Sequence, residues 1–489
     1  MNITSYADAE CFLNSLINYE KLSGGQIAYN TKSFDLLNFR SFMRRLGDPH
    51  LRYSVIHVAG TKGKGSVCAM LESALRECGW RTGLYSSPHI NTYLERISLD
   101  GVPISEERFC GMLGGLADLA GKDGLDKNAA NFRTVFELLT ATAFVCFAED
   151  NVEIAIVETG LGGRLDATNV FDAPPAAHHA AHVNVITAIG LDHIAILGST
   201  IEQITREKAG IISSHAAVVL GPQARDSSEI VSGVIKQRAM RLGCPLFIAA
   251  GEKISRESLG RDARTGTDII MARACFDRQI TRCSTLASSL SKGMKITLPL
   301  HGTHQIDNLQ CVLGALVALE TGSGRRLDAD AVAKGIARTR WPGRFQIVSR
   351  DPYVIIDGAH CALSASAMAK TYKTLCGAKP VVIVAGFMRD KAVADIARAI
   401  ADEQLAIERV ITCAPPSPRA LDAKSAAEAM AQVIQAPMDC ETNHADAINR
   451  AIHTAAVGSA LLVFGSFYLV GPAMTETARL WHNPSASAE

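Results

Sequence analysis

The segment Gly60-Thr61-Lys62-Gly63-Lys64-Gly65-Ser66 has the plainest chemical content of the chain. Its glycines let backbone N–H groups approach phosphate oxygens closely, and a helix opening at its end adds partial positive charge. Lys64 reaches toward the β- and γ-phosphates of a nucleotide, and Ser66 offers a hydroxyl near Mg²⁺. The run is shorter than the common P-loop pattern, and Gly65 separates its lysine from its serine. The competing reading is a flexible glycine turn with solvated lysines. Position decides between the two, because a β-rich run precedes the loop and an apolar-striped helix follows it.

Other polar residues recur at the ends of predicted strands. Ser86-Ser87-Pro88-His89 follows one; Ser87 there suits a metal and His89 a substrate, although Ser and Pro are also ordinary turn residues. Glu158 ends another and is followed by Gly160-Leu161-Gly162-Gly163-Arg164-Leu165-Asp166, a setting for Mg²⁺ or a reacting phosphate. Asp192 and His193 follow a third; histidine is an unusual Mg²⁺ ligand, so chemistry alone leaves His193 open between ligand and structural residue. In a parallel sheet, ligands gather beyond the carboxyl ends of the strands, so Gly60, Ser87, Glu158 and His193 are expected to converge. Lys208, by pattern alone, is a solvated lysine late in a helix from Ile201. Asp357-Gly358-Ala359-His360 again follows a strand, as a second wall of a cleft or as a tight turn.

The elements that must hold these residues read as α/β. Phe39, Phe42, Met43 and Leu46 mark a helix stopped by Gly47 and Pro49. Strands are expected at Tyr53–Ala59 and Thr82–Tyr85, with a helix between them striped by Val67, Met70, Leu71, Ala74 and Leu75. That is a βαβ unit, hence a parallel sheet. Further strands are expected at Ile154–Val157, Val183–Ile189, Ala217–Leu220, Val354–Ile356, Val381–Ala385, Val410–Cys413 and Leu461–Phe464. The polar region from about 250 to 300 fits short antiparallel strands or surface loops equally well. Trp341-Pro342-Gly343 interrupts regular structure and reads as a hinge. Ala173-Pro174-Pro175-Ala176-Ala177-His178-His179-Ala180-Ala181-His182 reads as a surface loop rather than a metal site, since no Cys or carboxylate joins its histidines.

Composition bounds the rest. Lys+Arg and Asp+Glu are both 49, so the chain lacks the basic excess of a dedicated nucleic-acid binder. Hydrophobic residues at 48% supply real cores and exclude global disorder. The apolar run at Phe144–Ala148 is broken by Glu149 and Asp150, too short to span a membrane. The start, with Asp8 and Glu10, lacks a secretion-signal pattern. Scattered cysteines, 13 in all with no C-x-x-C pair, fit reduced thiols. A soluble, cytoplasmic globular protein that binds neither nucleic acid nor membrane is expected.

Taken in order, the motifs resemble a family. Gly60-Thr-Lys-Gly-Lys-Gly-Ser66, Tyr85-Ser-Ser-Pro-His89, Glu158-Thr-Gly-Leu-Gly-Gly-Arg-Leu-Asp-Ala-Thr-Asn169, Gly190-Leu-Asp-His193, Glu207-Lys-Ala-Gly210, Trp341-Pro-Gly-Arg344 and Asp357-Gly-Ala-His360 are similar to those of the folylpolyglutamate synthase/dihydrofolate synthase family, within the Mur ligase superfamily. The resemblance covers Tyr53 to Gly471. It implies a P-loop, Mur-ligase-like ATP-binding domain with a parallel-rich sheet over 1–339, and a smaller Rossmann-like ligase domain over 340–489. It implies ATP-dependent attachment of L-glutamate to dihydropteroate, tetrahydrofolate or both through an acyl phosphate, by a monomer using ATP as co-substrate and two Mg²⁺ ions.

Residue by residue, the resemblance puts Mg²⁺ ligands on Ser87, Glu158 and His193, and ATP contacts on Gly60, Thr61, Lys62, Gly63, Lys64, Gly65, Ser66, Asn308, Arg344 and Asp357. Lys208 matches a lysine that is carbamylated in the family and so becomes an oxygen ligand for a second Mg²⁺. Lys64, Lys208 and His360 are the implied catalytic residues, with His360 and Ser466 near glutamate, and Thr134, Glu137 and Asp166 facing the pterin substrate. The chain departs from the pattern at Lys62 and Cys361, where Asn is usual, at Ala392, and in the histidine-rich insertion. A Mur-type ligase acting on peptidoglycan precursors is the alternative, which Ser86-Ser87-Pro88-His89 and Gly162-Gly163-Arg164 count against; a nucleotide switch without turnover has less need of Lys208.

Overall fold

The computed structural model describes residues 3–18, 36–121, 134–172, 181–249, 254–261, 267–274, 282–455 and 458–482. The chain divides into two compact units. The first holds the described residues up to Thr339 apart from Thr267 and Leu300–His304; the second holds those residues and the described ones from Arg340 onward.

The main sheet of the first unit has strands β1 (Ser54–Ala59), β2 (Thr82–Tyr85), β3 (Ile97–Leu99), β4 (Val102–Pro103), β5 (Ile154–Glu158), β6 (His182–Ile186), β7 (Ala217–Leu220) and β8 (Leu246–Ile248). They lie side by side as β4-β3-β2-β5-β1-β6-β7-β8. β2, β5, β1, β6, β7 and β8 are parallel, while β3 and β4 turn back antiparallel at one edge. β1, β5 and β6 are buried at every residue, as central parallel strands covered on both faces must be. One core packs Val55, Tyr85, Ala155 and Val157 with Phe39, Phe42, Phe144 and Phe147. Another packs Ala59, Ile186 and Leu220 with Ile204, Ile211 and Val231.

Register levels the strand ends that matter. Val58 pairs with Glu158, Ala59 with Ile186 and Tyr85 with Val157. The residues that leave these strands therefore emerge side by side along one edge, which is the crevice where open parallel sheets bind ligands.

The polar region resolves into strands. β9 (Ile254–Arg261), β10 (Asp268–Ala274) and β11 (Met294–Leu298) form a separate antiparallel sheet in the order β11-β10-β9. The apolar run at Phe144–Ala148 belongs to the buried helix Val135–Glu149. Among the described residues no helix is long and apolar enough to cross a membrane.

Two sequence expectations need correction. The strand expected at Val183–Ile189 begins at His182 and stops at Ile186. Thr187 then turns away, its hydroxyl donating to the Lys62 carbonyl at 2.7 Å, and opens the stretch that carries Asp192 and His193. His182 was placed by sequence in a surface loop but is 4% exposed. Its ring bonds Asn184 and Ser213 and meets Phe171 edge-on, partners that a local pattern does not reveal. Residues 173–180 lie outside the described residues.

The second unit has strands β12 (Gln346–Arg350), β13 (Tyr353–Ile356), β14 (Val381–Ala385), β15 (Ile407–Cys413), β16 (Met438–Glu441) and β17 (Ala460–Phe464), ordered β12-β13-β17-β14-β15-β16. All neighbours are parallel except β12 and β13. Its own core joins Ile355, Ile383, Val410 and Leu462 to Met368, Tyr372, Ile396 and Met430 from the helices.

Candidate active site

The glycine-rich loop runs from the end of β1 into the helix Lys64–Glu77. Two of its glycines are required by close approach. At Gly60 a Cβ would stand 1.8 Å from Thr187 Oγ1, and at Gly63, with φ +90°, 2.1 Å from Asn308 Oδ1. The loop is sewn to the segment after β6. Thr61 N and Lys62 N donate to the Ala188 carbonyl at 2.9 and 3.2 Å. The Thr61 hydroxyl exchanges bonds of 3.1 Å with Gly190 O and Gly190 N. Lys62 Nζ pairs with Asp192 Oδ2 at 3.0 Å, and Asp192 Oδ1 accepts the His193 N–H. Ser66 is buried in the first helical turn, where N–H groups lack intrahelical partners.

Lys64, Lys208 and Glu158 meet at the mouth of this loop. Lys64 Nζ donates to Gly60 O at 3.3 Å and lies 3.9 Å from Glu158 Oε1. Lys208 Nζ donates to the same carbonyl at 2.9 Å. Glu158, 4% exposed, accepts the Ser87 N–H at 3.3 Å. The sequence pattern made Lys208 a solvated lysine; the structure buries it. Burial, with Lys64 the largest charged contributor and Asp192 opposing, pushes the ammonium down to about 7. The loop after β5 packs on the backbone that carries it. Arg164 N donates to Glu207 O at 2.8 Å, its guanidinium grips the Glu207 carboxylate at 3.0–3.1 Å, and a Cβ at Gly163 would stand 3.0 Å from Lys208 O.

The remaining first-unit candidates are held in place by backbone bonds. Asp166 accepts from Leu161 N and Thr168 N, so it ties its own loop together, and burial raises its carboxyl. Thr134 caps the helix Val135–Glu149 and Glu137 closes the capping box. Asn308 stands on the helix Thr303–Ser323, its amide donating to Gln305 at 2.8 Å. His193 is half-exposed with φ +51°. His89, considered as a substrate contact, instead accepts from the buried Arg96 at 2.9 Å. The described residues contain no ready-made group of three His, Cys, Asp or Glu side chains for a metal. The buried Glu158 carboxylate, beside the Ser87 backbone and 3.9 Å from Lys64 Nζ, is an oxygen donor of the kind a hard cation takes.

In the second unit Arg344, Asp357, His360 and Ser466 gather around Phe467, which sequence reasoning did not single out. The Arg344 guanidinium lies 4.1 Å from the Phe467 ring centre, and His360 meets that ring edge-on at 5.7 Å. A Cβ at Gly358 would stand 2.4 Å from it. Asp357, past the end of β13, accepts from Phe345 N at 2.6 Å and Ala359 N at 2.7 Å, and burial raises it to about 6. His360 Nδ1 bonds Gly358 O at 2.8 Å, and Ser466 accepts from Tyr468 N. Phe467 directly follows Ser466, its only signal in sequence. Asp192 had one, beside His193, yet its pairing with Lys62 joins segments 130 residues apart.

Residues 58–316 match the Mur ligase middle domain, and 343–467 the Mur ligase glutamate ligase domain. A dihydrofolate synthase/folylpolyglutamate synthase of Bacillus subtilis is 31% identical over 398 residues, 79% of this chain and 81% of that one. The Mycobacterium tuberculosis folylpolyglutamate synthase complexed with ADP and AMPPCP superposes with a TM-score of 0.79 at 31% identity, covering 97% of this chain and 98% of that one. A bifunctional folylpolyglutamate synthase/dihydrofolate synthase from Yersinia pestis, complexed with AMPPNP and a Mn ion, gives a TM-score of 0.73 at 26% identity, covering 97% and 98%. The chain belongs to the dihydrofolate synthase/folylpolyglutamate synthase family of the Mur ligases.

Proposed function

We propose that this chain is an ATP-dependent ligase that joins L-glutamate to the carboxylate of a pteroate or folate, as a dihydrofolate synthase, a folylpolyglutamate synthase or both. The observation that carries the reading is the meeting of Lys64, Lys208 and Glu158 on the glycine-rich loop at the level ends of β1 and β5. A carboxylate is a poor electrophile, so it must first be activated. An oxygen of the acceptor carboxylate attacks the γ-phosphorus of ATP, the bond to the bridging oxygen breaks, and ADP leaves. The glutamate amine then attacks the acyl carbon, phosphate leaves, and the amine loses a proton as the amide forms.

In this reading the loop N–H groups from Gly60 to Ser66 cradle the phosphates, and Lys64 balances charge on the transferring phosphoryl group. Ser87, Glu158 and His193 would hold Mg²⁺, which would neutralise phosphate charge. Lys208, held near 7, keeps a neutral share of amine that would add carbon dioxide, forming the N–C bond and releasing a proton to solvent, and the carbamate oxygens would suit a second Mg²⁺. Asn308, Arg344 and Asp357 contact ATP, His360 and Ser466 serve glutamate, and Thr134, Glu137 and the Asp166 loop face the pterin. Residues 1–339 form the ATP-binding domain and 340–489 the glutamate ligase domain of a cytoplasmic monomer. Phosphate release from ATP tests the proposal. It is expected only when L-glutamate and dihydropteroate or tetrahydrofolate are both present. Release that instead requires a muramoyl peptide would overturn it.

A further inference from the structure

We propose that His57 is a positioning residue for the ligase reaction, fixing the acceptor-facing loop after β5 through Thr168 and Asp166. The inference rests on the function proposed above and adds a residue that contacts no substrate.

His57 lies in the middle of β1 among Val55, Ile56, Val58 and Ala59, and is 0% exposed. An imidazole there has a cost that an apolar side chain avoids, unless it is paired. Its pairing is with one group: Nε2 lies 2.8 Å from Thr168 Oγ1. The Thr168 hydroxyl in turn donates to Asp166 Oδ1. Asp166 also accepts backbone N–H groups from Leu161 at 2.8 Å and Thr168 at 3.0 Å, bonds that oppose the burial that raises its carboxyl. The Thr168 proton is therefore committed to Asp166, and His57 Nε2 must carry the proton it shares with Thr168. The line of donation runs from the strand to the carboxylate, leaving His57 Nδ1 without a hydrogen-bond partner. Burial keeps the ring neutral, pushing it down to about 3.

The relay ends where the loop is least tied by regular structure. Residues 159–169 belong to no helix or strand. Phe171, just past them, is clasped by the rings of His50, His57, Phe144 and His182 at 5.3–5.7 Å between centres. At the near end, a Cβ at Gly160 would stand 2.5 Å from the Phe136 ring, so the loop also bears on the Thr134–Glu137 turn. Between these anchors Arg164 holds the loop to Glu207, and the Thr168–Asp166 bond sets the stretch from Asp166 to Thr168. Breaking it moves surfaces proposed to face the pterin, while the glycine-rich loop keeps its own ties to Ala188 and Gly190.

Paired substitutions test this. Thr168→Val and His57→Leu remove the relay; Thr168→Ser and His57→Gln keep a hydroxyl and an N–H donor. The expected result is a KM for dihydropteroate or tetrahydrofolate raised about ten- to a hundredfold in Thr168→Val and His57→Leu. KM for ATP should stay within about twofold, and Thr168→Ser and His57→Gln should recover most of the loss. Unchanged pterin KM in Thr168→Val would overturn the relay. So would an equal loss across all substrates that Ser and Gln fail to restore, the mark of a merely structural role. If His57→Leu does not fold, the Thr168 pair decides alone, with melting temperatures recorded. Wild-type protein that turns over no pterin acceptor would overturn the proposed function as well, whereas wild-type turnover with unaltered variants sinks the relay only.

Discussion

Lys64 and Lys208 are alike in sequence and different in place. Both reach the Gly60 carbonyl, but only Lys208 is buried. The helix that carries Lys208 gives no hint of this, since the carbonyl it reaches lies 148 residues away in sequence. The glycine-rich loop, by contrast, was legible because its function is local: glycines, lysine and helix start are consecutive. Replacing Lys64 by Ala should lower kcat about a thousandfold with an unchanged melting temperature, since what is lost is charge stabilisation in the transition state. Lys208 should behave differently with pH. Its folded value is depressed to about 7, so the reactive neutral amine grows as pH rises through that value. Carbon-13 NMR with labelled bicarbonate should then show a carbamate signal that strengthens with pH and is missing in Lys208→Ala.

Elements were legible where they are buried on both faces. Runs such as Ile154–Val157, Ala217–Leu220 and Val381–Ala385 are strands because continuous apolar character is what a central parallel strand requires. Edge strands escaped notice. β4 is exposed and β16 only partly covered, so neither needs such a run. The register that sets His57 beside Thr168 likewise has no short-range signature. The histidines around Phe171 have a consequence for stability. His50 is pushed down to about 4, and His57 and His182 to about 3, chiefly by burial. Each folded value lies below the unfolded one, so the unfolded chain binds more protons between the two. Stability is complete above pH 6.5 and falls with pH, to about 4 for His50 and about 3 for His57 and His182, by about 1.4 kcal/mol per pH unit for each within its window. Urea midpoints measured from neutral to acid pH should trace that decline, with a shallower slope in His57→Gln.

For the whole molecule, zero net charge excluded a broad anionic partner but hid one local concentration: Lys62, Lys64 and Lys208 act on one another around a single loop. The two units each own a core, so a fragment of residues 340–489 is expected to melt cooperatively when expressed alone. A broad, non-cooperative melt would show that its core needs the rest of the chain. The order β12-β13-β17-β14-β15-β16 bears also on how the chain is made. β17 is the latest strand to be synthesised, yet it lies between β13 and β14. Until Ala460–Phe464 leaves the ribosome, both of those apolar strands present open edges, the form most prone to pairing with another chain. A nascent chain is thus exposed from the synthesis of Ile356 until that of Ala460, and one stopped at residue 459 should collect in the insoluble fraction.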